Sequence, residues 1–135
     1  MKHIITLIAL LCSFGANASA NWFTSEDGNV SVYRNWRNGT CQIVMGHRLN
    51  AALVYESGKL YGLKHDMKAK KTLVSYGDTK LILTSDNDFD ELFDQETIEI
   101  ATIDQHGRTA SEIVSLQGLH EAARYYGDCV HTYIK

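Results

Sequence analysis

Ala52-Leu53-Val54-Tyr55-Glu56-Ser57-Gly58-Lys59-Leu60-Tyr61-Gly62-Leu63 decides how this chain folds. Two β-prone runs, Ala52 to Tyr55 and Leu60 to Leu63, flank a short polar segment centred on Ser57-Gly58, which is the pattern of a β-hairpin. The same grammar continues on both sides. Val30 to Tyr33 and Cys41 to His47 precede the hairpin, and Cys41, Ile43 and Met45 alternate onto one face. Leu73 to Tyr76, Lys80 to Thr84, Thr97 to Ile103, Thr109 to Val114 and Val130 to Ile134 follow it, with turn signals such as Asp27-Gly28, Asn38-Gly39 and His106-Gly107 between the runs. Many short strands joined by tight turns predict a mostly β (α+β) protein, an antiparallel β-sandwich or barrel.

Two segments depart from the strand pattern. Leu116, Leu119, Ala122, Ala123 and Tyr126 recur at spacings of three and four, predicting one C-terminal helix over Leu116 to Tyr126, capped by Ser115 and ended by Gly127. Phe89, Leu92 and Phe93 would face inward on a single helical turn capped by Asp86 or Asp88.

The start of the chain reads as an address. Lys2 is followed by an apolar run from Ile4 to Phe14 and by the small residues Ala18-Ser19-Ala20. That order describes a signal peptide over 1–20 with cleavage after Ala20, leaving one periplasmic β-rich domain, 21–135. Of 13 Lys and Arg residues only Lys2 lies in the leader, whereas all 16 acids follow it, so the mature domain carries a net charge of −4. An acidic domain is a poor phosphate-neutralising nucleic-acid binder. No apolar run reaches the ~18 to 20 residues of a bilayer span, so no stable membrane anchor is expected.

Cys12 leaves with the leader, and Cys41 and Cys129 remain as an even pair in an oxidising compartment. Their bond would close a loop of nearly ninety residues and tie the first third of the domain to its last strand. The rival readings are a catalytic thiol, or a zinc site of Cys129, His131 and His47, whose spacing matches no standard ligand motif.

Recognised catalytic motifs are absent. There is no G-x-S-x-G elbow, and His120-Glu121 is followed by Arg124 where a metalloprotease needs its second histidine. The chain is read as a non-enzyme without cofactor or metal, and a carboxylate pair assembled by the fold is the remaining enzymatic alternative.

Charge is uneven. Asp86, Asp88, Asp90, Glu91, Asp94 and Glu96 fall within eleven residues. This segment reads in three ways: a solvated loop, a calcium loop, or a docking surface for a basic partner. For calcium, the sixth position is Glu91 rather than glycine and the twelfth is Thr97 rather than glutamate. Lys64, Lys68, Lys70 and Lys71 surround His65 and read as an exposed loop or edge; the alternative, phosphate binding, would want a glycine-rich nest or a helix start beside them, and the sequence shows neither. Trp22, Trp36, Tyr55, Tyr61, Tyr125 and Tyr126 serve either as sandwich packing or as interface anchors.

Ser115-Leu116-Gln117-Gly118-Leu119, Ala122-Ala123 and Cys129, with Trp22 and Cys41, resemble the invasion-associated locus B family of small exported bacterial β-sandwich proteins. That resemblance implies a non-enzymatic envelope or virulence accessory protein. By type, a small acidic disulfide-bonded exported protein also resembles type VI immunity proteins and periplasmic lysozyme inhibitors. Glu56-Ser57-Gly58-Lys59-Leu60-Tyr61 is similar to the Ser-Gly-x-x-Tyr loop with which one inhibitor family enters an enzyme cleft. This second resemblance implies a protein partner, a toxin or cell-wall hydrolase, contacted by Ser57, Lys59 and Tyr61. Asp88, Asp90, Glu91 and Asp94 would then supply charge steering.

Overall fold

The structure, a computed structural model, describes residues 19–35, 39–84 and 89–133. The leader through residue 18, Trp36, Asp86 and Asp88 lie outside the described residues. Six strands run as one antiparallel meander: β1 (Ser19–Thr24), β2 (Val30–Asn35), β3 (Cys41–Gly46), β4 (Ala51–Glu56), β5 (Lys59–Lys64) and β6 (Met67–Lys68). The central hairpin pairs Tyr55 with Leu60 and Glu56 with Lys59. Its tip is Ser57 at φ 52° and Gly58 at φ 81°, the two left-handed residues that let a two-residue turn follow the strand twist. A second sheet holds β7 (Lys71–Tyr76), β8 (Thr79–Ile82), β9 (Thr97–Ile103) and β10 (Thr109–Ser115) in the order β10-β9-β7-β8, all antiparallel. A 3-10 segment, Phe89–Asp94, precedes β9, and helix α1 (Leu119–Tyr133) follows β10.

The first sheet is apolar on both faces. Val30, Val32, Ile43, Met45 and Leu53 meet Val74, Ile98, Ile100 and Val114 of the second sheet and Leu119 and Ala122 of α1 in the main core. On the reverse face Val44, Ala52, Val54 and Leu63 form a second cluster, edged by Tyr33 and Tyr61. Helix α1 lies over β1, β2 and β3, whereas β9 and β10 lie over β3, β4 and β5. The sheets close on each other at Gly62, where an added Cβ would stand 2.0 Å from Thr72 Oγ1.

The C-terminal elements differ from the sequence expectation. Val130 to Ile134 was expected as a strand, yet the helix runs unbroken to Tyr133. The stripe Leu119, Ala122 and Tyr126 continues at the same spacing to Cys129, which is fully buried against β3. Tertiary burial of that stripe outweighs the β preference of Val130 and Thr132 and the weak helix propensity of Gly127. The helix also starts later than expected. Ser115 Oγ accepts the Gln117 N–H at 3.2 Å and closes a turn ahead of it, and the Gly118 carbonyl accepts the Ala122 N–H at 2.8 Å.

The expected disulfide is present, Cys41 to Cys129, with the Cα atoms 6.1 Å apart. It joins β3 to the helix rather than to a last strand. The basic segment is also corrected at one position: Lys64 is not exposed but ends β5 and is only 6% accessible. Its ammonium is held inside by Asp104 at 3.3 Å.

Removing the disulfide with C41A/C129A should lower the unfolding free energy by about 2 to 4 kcal/mol, measured by urea unfolding without reductant. Gly118 stands at φ 91°, and an added Cβ would come 2.9 Å from Ser25 Cβ. Gly118→Ala should therefore cost about 1 to 3 kcal/mol in the same assay.

Candidate protein-binding surface

The hairpin tip projects from the end of β4 and β5. Ser57 and Lys59 are exposed, and the Ser57 N–H donates to Tyr126 Oη of α1 at 3.1 Å. The tip is thus tethered to the helix through its backbone, leaving the side chains of Ser57 and Lys59 outward. Tyr61, expected to act beside them, is half-buried on the reverse face of the first sheet. Its hydroxyl donates to Glu56 Oε1 at 3.2 Å and accepts from Gln42 Nε2 at 3.1 Å. Glu56 also accepts the Thr40 hydroxyl and, at 3.1 Å, Gln42 Nε2. Burial, reinforced by the Glu56 charge, pushes the Tyr61 hydroxyl up to about 12. Lys68 Nζ stands 5.4 Å from the Tyr61 ring centroid.

The acidic segment lies on the other side of Tyr55. Asp90, Glu91 and Asp94 are exposed on the 3-10 turn, while Leu92 is buried in the main core. Glu91 Oε2 accepts the Tyr76 hydroxyl at 2.8 Å, and this bond raises the Tyr76 pKa above its ordinary value. Phe89 stacks on Tyr55 with centroids 4.2 Å apart, and Tyr126 meets the same Tyr55 ring edge-on at 5.3 Å. Phe89 also contacts Phe93 at 5.1 Å, and Phe93 contacts His120 at 4.9 Å.

Tyr55 therefore joins the hairpin tip and the acidic turn, two patches separated by thirty residues of chain. Such aromatic contacts, each worth about 0.5 to 1.5 kcal/mol beyond area burial, give the surface a stiff backing. Beside it an open cleft of about 500 Å³ is lined by Phe93, Glu96, Ser115, Gln117 and His120, among others.

The structure thus brings together Ser57, Lys59, Asp90, Glu91 and Asp94 around one aromatic cluster and turns Tyr61 toward a separate hydrogen-bond network. Asp88 lies outside the described residues. The sequence places Tyr55 at the end of a hairpin strand and Tyr126 on the helical stripe, and no spacing rule relates either of them to Phe89. Trp22 packs half-buried against the main core. Among the described residues, no three His, Cys, Asp or Glu side chains converge as metal ligands. No helix among them is long and apolar enough to cross a membrane. No protein-family model, no curated protein and no solved structure matches this chain.

Tyr61 keeps its proton to about pH 12 when folded, against the ordinary value of 10.0 when unfolded. Between those values the folded state binds more protons, so stability contributed by Tyr61 falls as pH rises through the window. Tyr61→Phe should lower stability at pH 8 by about 1 kcal/mol through its lost hydrogen bonds. It should also flatten the alkaline fall, as read by urea unfolding at pH 8, 10 and 11.5.

Proposed function

We propose that this chain is an exported, non-enzymatic binding protein that neutralises a toxin or cell-wall hydrolase, as an immunity protein or inhibitor does. Export rests on the leader pattern, with cleavage after Ala20 and release into the periplasm. The intramolecular disulfide is compatible with that compartment. The observation that carries the reading is the joining of the hairpin tip and the acidic turn through Tyr55, Phe89 and Tyr126. A rigid protruding loop beside exposed carboxylates is suited to a basic enzyme with a concave site.

The two halves of the surface have different tasks. Asp90, Glu91 and Asp94 accelerate encounter with a positively charged partner, an effect of 10- to 1000-fold in favourable cases and sensitive to salt. Ser57 and Lys59 make short-range contacts that hold the complex and so govern its dissociation. Because the tip is tied down by a backbone N–H, little conformational freedom is lost when it is engaged.

Capture from envelope extract by the mature disulfide-bonded protein should retain a wall hydrolase or toxin whose activity falls when this protein is added. D90A/D94A should slow association at low salt with little change in dissociation, and S57A/K59A should speed dissociation. A captured hydrolase that keeps full activity at saturation, or kinetics unchanged in both variants, would refute the reading.

A further inference from the structure

The far end of β5 carries a different surface. Lys64 closes the strand that begins at Lys59, about 20 Å from the hairpin tip at ~3.3 Å per residue. Here the turn at His65 and Asp66 and the turn at 104–108 face each other across a cleft of about 240 Å³. Lys64, His65, Lys68, His106 and Arg108 line it, and Asp104 is the one carboxylate in the lining. Counting the lysines and the arginine against Asp104, the cleft holds two positive charges in excess. That local sign opposes the net charge of the domain.

Hydrogen-bond supply points the same way. The Lys64 side chain is only 5% exposed, and its ammonium has one acceptor among the described residues, Asp104 Oδ2 at 3.3 Å. An ammonium carries three donors. Asp104 is already committed, since it accepts the His106 N–H and the Arg108 N–H at 2.9 Å each and Arg108 Nε at 3.1 Å. Burial opposes the Asp104 charge, yet those N–H groups and the Lys64 ammonium hold its carboxyl well below the usual range. Asp104 thus stays ionised and positions Lys64 and Arg108 without exhausting their donors. A neighbouring cleft continues the positive edge through Lys59, Lys70 and Lys71, with Lys68 shared by both.

At the same end, the Leu49 carbonyl lies 2.9 Å from His65 Nδ1, and the Leu49 side chain is 78% exposed. Met67, which lines the cleft, is 73% exposed. Two exposed apolar side chains beside cations suit a phosphate carried on an amphiphile as well as one in solution.

We propose that the cleft between the 65–66 and 104–108 turns is an anion site that takes a phosphate group through Lys64, Lys68 and Arg108. A tetrahedral phosphate oxyanion, as monoester, diester or free ion, supplies acceptors for the Lys64 donors that Asp104 leaves over among the described residues and offsets the excess charge.

The test uses the mature disulfide-bonded protein and two probes. The first is inorganic phosphate against chloride at equal ionic strength, followed by calorimetric titration and thermal unfolding. The second is co-sedimentation with phosphatidylcholine vesicles, with and without phosphatidylglycerol. Phosphate should bind saturably and raise Tm, and K68Q/R108Q should weaken it about tenfold or more, as loss of charged hydrogen bonds implies. Both positions are exposed, so Tm without phosphate should fall by no more than the small cost of losing the exposed Arg108–Asp104 pair.

Sedimentation with phosphatidylglycerol vesicles that is lost in both L49S/M67S and K68Q/R108Q identifies a headgroup as the source. Saturable phosphate binding without sedimentation identifies phosphate in solution as the source. No phosphate response and no sedimentation would overturn the site, as would binding unchanged in K68Q/R108Q. None of these outcomes depends on the hairpin tip or the acidic turn.

Discussion

The bond between Cys41 and Cys129 sets where the helix lies, and the helix in turn sets the end of the molecule that bears the hairpin. Cys129 is one helical turn beyond Tyr126. Fixing Cys129 on β3 therefore places the Tyr126 ring against Tyr55 and its hydroxyl against the Ser57 backbone. Leu119 and Ala122 extend the contact along the sheet, so the covalent link and the apolar stripe act in the same direction. Without that alignment, Ser57 and Gly58 would form an ordinary exposed hairpin tip with no support behind it.

The two ends of β5 meet different surfaces. One end adjoins the acidic 3-10 turn through Tyr55 and Phe89, and the other closes on the Lys64–Asp104 pair. The two ends are held by different chemistry. Stacked aromatic rings, insensitive to salt, back the acidic side. The basic side depends on an ion pair whose lysine is buried, where burial opposes both charges and the N–H groups that saturate Asp104 hold it ionised. A net charge of −3 for the whole chain conceals this polarity.

Where local chemistry decided the structure, the sequence was legible. Ser57-Gly58 between two β-prone runs specifies a turn and hence a register, and the observed pairing of Glu56 with Lys59 follows from it. The strands at Val30, Cys41, Thr97 and Thr109 were readable for the same reason. The disulfide was readable because two cysteines remain once the leader is set aside. Over Val130 to Ile134 the β-branched residues state a local strand preference, which the buried Cys129 overrides as far as the helix is described, to Tyr133. The burial of Lys64 is not legible locally, because a lysine among lysines looks solvated and its carboxylate partner lies forty residues away.

Alternation, turn residues and helical spacing are properties of neighbours in the chain, and by themselves they determined a two-sided β architecture and a C-terminal helix, while the cysteine count pointed to one cystine. They also marked the residues of the hairpin tip and the acidic turn. Only the tertiary structure decided that those two patches share Tyr55, that Tyr61 turns to Glu56 and Gln42, and that Lys64 and Arg108 converge on Asp104. Each of these depends on how two sheets and a helix stack. The stacking follows from which apolar faces can be buried together, which is a property of the whole chain rather than of any window within it.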